Sequence, residues 1–242
     1  MTFLELVQRF ILESSSGSPS SSISTVVNQT GENLRYVTWV NQSWLDIQNL
    51  RRDWKWMRSS GMTGGGMSFT TVAGTAIYPL GSGAGTCGIT SANFGDWLKP
   101  TFRCFTTAQG NTGDEMLIGW IDYDTWRDAY MVGPQRSVQT RPVIMSISPA
   151  MGICVGPPPN GNYTITGDYE TRPALMAVAN ASEPTGLDTQ YQMAIVYKAL
   201  ISYGFERVAP EVIERARAEY RTIIRQLERL QLPMMSFGGP LA

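Results

Sequence analysis

Residues 156–176 read GPPPNGNYTITGDYETRPALM, and this stretch decides the fold because the residue pattern changes character within it. The segment 157-PPPNG-161 is a stiff connection and turn. The following 162-NYTITGDYE-170 alternates apolar and polar residues, which predicts a strand with Tyr163 and Ile165 on defined faces. After Arg172-Pro173 no further strand pattern appears.

On the C-terminal side the period is helical. Tyr191, Ala194, Tyr197, Ile201 and Phe205 recur at spacings of three and four, predicting an inward face of a helix over 188–206. Pro210 stands at the first position of a second helix, whose seam of Ile213, Ala216, Tyr220, Ile223, Leu227 and Leu230 must pack against another helix. Pro233 ends it. The remaining 232-LPMMSFGGPLA-242 is apolar and uncharged, and such a strip either folds back onto its own core or is received by a neighbouring chain.

On the N-terminal side, short strands are expected at 67–72, 75–78, 99–106, 115–121, 143–148 and 152–155, between turns dense in Gly, Ser and Thr. A short helix interrupts them at 122-DYDTWRDAYMV-132, with Asp122 or Asp124 as its cap and Tyr123, Trp126 and Tyr130 turned inward. Before this region, Thr2 and Glu5 form a capping box ahead of Phe3, Leu6, Val7, Phe10 and Ile11, while 14-SSSGSPSSS-22 is a polar loop. A second helix is predicted from Thr30 to about Trp56, with Val37, Val40, Trp44, Ile47 and Trp54 in one stripe and Arg51, Arg52, Lys55 and Arg58 at its C-terminal end.

Helices, then strands, then helices argue for an α+β fold. The expected architecture is a helical bundle built from N- and C-terminal helices with an inserted antiparallel, sandwich-like β module. Its divisions are 1–58 for the first helices, 59–178 for the β module, 179–231 for the last helices and 232–242 for an extended tail.

Composition narrows the chemistry. With 242 residues and 43% hydrophobic content, the chain is long enough for a substantial core. It contains no histidine, which excludes Ser-His-Asp, Cys-His and histidine-based zinc hydrolase mechanisms. Cys87, Cys104 and Cys154 are too widely spaced for a metal motif and are expected to be buried free thiols. No metal site and no cofactor are expected. A formal charge of −1 provides no whole-molecule attraction to nucleic acid. No apolar run approaches the roughly 20 residues of a membrane span, and no membrane partner is expected.

Two carboxylate pairs are visible, Asp122 with Asp124 and Asp168 with Glu170. A carboxylate glycoside hydrolase would need such a pair, and a carbohydrate-binding β module is a further alternative. Each pair has a simpler reading, as a helix cap or as two residues on one strand face. The Gly-rich run 61–66 lacks the Gly-Lys-Ser/Thr ending of a phosphate loop, and an enzyme is not expected.

The order of these features resembles the head-to-tail adaptor (connector) proteins of tailed bacteriophages. The shared order runs from 54-WKWM-57 through 118-IGWIDYDTWRDAY-130, 140-TRPVIMSI-147 and 153-ICVGPPPNGNYTITGDYETRP-173 to 188-DTQYQMAIVYKALISYG-204 and 218-AEYRTIIRQLERL-230. The Gly-rich run 61–66 and the loop 81-GSGAG-85 are longer and less regular than the family pattern. The resemblance implies a structural virion protein at the capsid vertex, assembled in the host cytoplasm. It would form a ring, typically of twelve copies, beneath the portal protein, extending the DNA channel and bridging to a downstream tail or nozzle protein. Genomic DNA would pass without sequence-specific binding. The resemblance also assigns portal docking to Leu232, Pro233, Met234, Met235, Phe237 and Leu241.

Overall fold

The computed structural model describes residues 1–14, 23–59, 66–92 and 94–232. Its helices are α1 (Phe3–Glu13), α2 (Gly31–Leu50), α3 (Asn111–Asp114), α4 (Tyr123–Tyr130), α5 (Met193–Arg207) and α6 (Pro210–Gln231). The strands are β1 (Arg58–Ser59), β2 (Met67–Thr70), β3 (Ile77–Tyr78), β4 (Phe94–Thr106), β5 (Met116–Leu117), β6 (Gly119–Trp120), β7 (Ile144–Ile147), β8 (Ile153–Gly156) and β9 (Tyr163–Thr171). The fold is mixed α+β, and the chain divides into two compact units, Met1–Met57 with Pro173–Ala242, and Arg58–Arg172.

The helical unit packs α1, α2, α5 and α6 around one apolar core that includes Phe3, Phe10, Val40, Trp44, Ile195, Leu200 and Leu227. The capping box at α1 is present: the Thr2 side chain accepts from Glu5 N–H at 3.3 Å, and the Glu5 carboxylate accepts from Thr2 N–H at 2.9 Å. Helix α2 ends at Leu50 rather than near Trp56, because Arg51 is extended and the chain turns into a short 3₁₀ segment over Lys55–Met57. Trp54 still reaches the core and donates from its indole N–H to the Ile47 carbonyl at 3.0 Å. The basic cluster therefore lies beyond the helix instead of in its last turn.

Two aromatic and aliphatic positions of the expected seams point outward: Phe205 is 60% exposed and Leu230 is 56% exposed. Tyr203 takes the inward place on α5, while Leu230 faces away from the core that Leu227 and Leu232 touch. Gly204 permits the tight α5–α6 corner, since a Cβ there would stand 2.5 Å from the Ile213 side chain.

The β unit holds two sheets around a shared core of Met67, Phe69, Tyr78, Trp97, Phe102, Met145, Val155 and Ile165. In the first, β9 is central: β4 pairs along one edge, and β1 and then β2 pair along the other, with β5 outside β4. Pro100 has no N–H to offer the ladder, and the register of β4 against β9 slips between Leu98 and Arg103. There the Thr101 hydroxyl accepts from Asp168 N–H at 2.9 Å instead. The second sheet has the order β3-β8-β7-β6.

Two expectations for this unit are corrected. The sheets are not wholly antiparallel, because β6 runs parallel to β7. The single strand expected at 115–121 is two, divided by buried Ile118, with β5 in the first sheet and β6 in the second. The Pro-Asn-Gly connection carries the chain from β8 in the second sheet to β9 in the first. Helix α4 starts at the Asp122 cap and buries Trp126 against Ala76 and Cys154, with Tyr123 and Tyr130 half-buried beside it.

Candidate functional site

Helix α6 carries 22 residues and buries Ala216, Ile224 and Leu227 on the face toward α5. Tyr220 lies on the same seam, and burial, with smaller contributions from Asp46 and Glu228, pushes its hydroxyl up to about 12. The last turns of α6 are braced from the segment after α2. Arg51 pairs with Glu228 at 2.9 Å, and the Lys55 ammonium donates to the Leu230 carbonyl at 3.0 Å. Leu232 leaves the helix in an extended conformation, as a residue before proline prefers, and its side chain is half-buried against the helical core. Of the residues assigned to portal docking, Leu232 is thus partly committed to its own subunit. Pro233, Met234, Met235, Phe237 and Leu241 lie outside the described residues, as does most of the Gly-rich run, Gly61 to Gly65.

The carboxylate pairs are occupied structurally. Asp122 caps α4, accepting from Thr125 N–H at 2.9 Å and from its hydroxyl at 2.7 Å, and these bonds hold its carboxyl below the usual range. Asp124 is exposed and pairs with Arg127 at 3.6 Å. Asp168 is buried, and one of its oxygens accepts from both Arg58 Nε at 3.1 Å and Nη2 at 2.5 Å. It lines a cleft of about 440 Å³ with Arg58, Thr101, Arg103 and Glu115. Both guanidinium groups of that cleft are already paired, Arg103 with Glu115 at 3.1 Å. A carboxylate held this way is not placed to deliver a proton to a leaving group and recover it from water.

The three cysteines are buried free thiols, and burial pushes the Cys154 thiol up to about 12. Among the described residues no cluster of His, Cys, Asp or Glu could hold a metal ion. Nor, among them, is any helix long and apolar enough to cross a membrane.

A surface not singled out from the sequence flanks α2. The chain after Pro173 runs along this helix as a strap held by side-chain amides. Asn41 donates to Met176 O at 3.0 Å and accepts from Met176 N–H at 2.8 Å. Two residues earlier on the strap, Gln48 does the same with Ala174, donating at 2.8 Å and accepting at 3.1 Å. Asn180 then accepts from Val26 N–H at 2.8 Å. The pinned strap turns Leu175 and Val178 outward, where they wall a groove of about 270 Å³ with Leu34 and Val37. The signal present in the sequence is a pair of amides seven residues apart on an otherwise inward-facing stripe.

Comparison with protein families settles the broad identity. A family model described as SU10 adaptor protein matches residues 1–241. The chain belongs to the SU10 adaptor protein family. This is a phage head-to-tail adaptor family, and membership makes the chain a structural component of the virion. No curated protein matches the chain.

Proposed function

We propose that this SU10 adaptor forms a ring, twelve copies in the family pattern, beneath the portal protein at the capsid vertex. The ring extends the DNA channel toward the tail and joins the portal to the next tail or nozzle protein. The observation that carries this reading is the family match over residues 1–241. The formal charge of −1 suits a channel wall, because a strongly basic lumen would hold DNA phosphates.

In this reading the segment 232–242 docks on the portal protein, with Met234, Met235, Phe237 and Leu241 as anchors. Support comes from α6, which delivers that uncharged apolar sequence from a braced helix end. Partial burial of Leu232 makes it the hinge of the docking segment rather than its tip. Deleting residues 232–242 should abolish co-sedimentation of the adaptor with portal protein while leaving the far-ultraviolet circular dichroism of the subunit intact. Undiminished co-sedimentation after the deletion would remove the tail from the portal contact.

A further inference from the structure

The ring reading requires two different complementary surfaces on each subunit, because head-to-tail interfaces are heterologous. The helical unit carries an unmatched pair of that kind. One is the groove beside α2, with Leu34, Val37, Leu175 and Val178 on its walls and no charged residue in its lining. Its volume of about 270 Å³ falls below the usual range of small-molecule sites, roughly 300–1,000 Å³, and suits one or two side chains. Its outer wall is preset by the Asn41 and Gln48 clamps, so little ordering is left for binding.

The other surface is the α5–α6 corner. Val208 caps α5 with φ 53° and ψ 45°, in the left-handed region, and is 84% exposed. A β-branched residue there is a true outlier, and such outliers point to function when the surroundings hold them. Phe205 projects beside it, with the Arg217 guanidinium 5.5 Å from its ring centre. Around this apolar knob the charges pair among themselves, Arg35 with Glu206 and Arg207 with Glu32. An apolar centre with a polar rim is the composition of an interface core.

The placement of the two surfaces also fits. At 100° per residue on α2, Glu32 and Arg35, which hold the corner, lie about 140° around the helix from Leu34, Val37, Thr38 and Asn41, which face the groove. Knob and groove therefore occupy opposed flanks of one helix, as closure of a ring of many copies demands.

We propose that the Phe205–Val208 knob of one adaptor subunit seats in the α2 groove of the next, forming the subunit contact of the ring. The occupant is a second copy because the ring reading sets one beside every subunit, and among the described residues the helical unit offers the apolar projection of Phe205 and Val208 on the flank opposite its uncharged groove. This inference rests on the adaptor reading, and the test separates the two.

The double variant V178C/V208C is assembled with portal protein and treated with a short bismaleimide, alongside each single variant. The three native cysteines are buried, so the background is low. The contact predicts a ladder of covalent multimers from the double variant and none from either single variant, since position 178 meets 208 and not itself. A complementary variant, Val208→Gly, suits the left-handed cap and should keep the thermal stability of the subunit. It should raise the concentration needed for ring formation at least about tenfold. A ring that forms without a ladder, or cross-links only to portal protein, overturns the knob-in-groove contact and leaves the adaptor reading standing. Chains that enter no multimer with or without portal protein overturn both.

Discussion

The side-chain amide of Asn41 replaces a neighbouring strand for Met176, donating to its carbonyl at 3.0 Å and accepting from its N–H at 2.8 Å. Asn41 is buried, so Asn41→Ala leaves two backbone polar groups without these partners. An unfolding free energy lower by about 2–4 kcal/mol is expected from the penalty for such groups. Urea denaturation of the two proteins measures it. A loss within about 0.5 kcal/mol, the range of ordinary surface substitutions, would show that the strap is held by its apolar contacts alone.

Gly156 stands where a Cβ would come within 2.6 Å of the Tyr130 ring and 3.1 Å of Trp126 Nε1. Helix α4 therefore rests directly on the backbone of β8. Gly156→Ala should displace α4 and lower stability by about 1–3 kcal/mol, the range for overpacking a filled interior. Tryptophan fluorescence, followed through a thermal melt, should shift to longer wavelength below the wild-type transition.

Asp114 joins β4 to the segment before β7, accepting from Thr106 N–H at 2.8 Å, from its hydroxyl at 2.6 Å and from Arg141 Nη1 at 2.7 Å. These bonds, those from Thr106 first, hold its carboxyl below the ordinary aspartate value of 3.8. A carboxylate lowered in the folded state stabilises above its unfolded value and loses that contribution as pH falls through its folded value. The acid limb of the melting temperature below pH 3.8 should accordingly be steeper in the wild type than in Asp114→Asn. Parallel slopes for the two proteins would contradict the assignment.

The sequence shows clearly whatever depends on local period and on caps. The α1 capping box, the Asp122 cap and the α6 seam through Leu227 follow from residue type and spacing, and the structure has each of them. Strand existence was legible, but strand partnership was not. The Asn160-Gly161 turn follows β8 and precedes β9, and nothing in its local sequence says that the two strands belong to separate sheets. Phe205 fits the inward period of α5 but turns outward, because Tyr203 and Gly204 take the covered positions at the corner. The groove was hidden for a different reason: Asn41 and Gln48 act on a strap more than a hundred residues away, a contact that helical period alone does not encode.

The buried thiols supply a probe of the β unit. Burial raises Cys87, Cys104 and Cys154 above the ordinary thiol range, foremost by desolvation, so little reactive thiolate forms near neutral pH. A thiol reagent at pH 8 should find no rapidly reacting cysteine in the native protein and all three after denaturation. Rapid native labelling would mean that the sheets open far more readily than their packing implies.

The central claim is that this chain works as a ring-forming adaptor on the portal, and native mass spectrometry of the purified protein, alone and mixed with portal protein of the same virus, tests it most directly. The mixture should grow to one large complex of defined mass containing both chains, with the adaptor in a fixed number of copies. A subunit that stays monomeric and ignores the portal protein would contradict it.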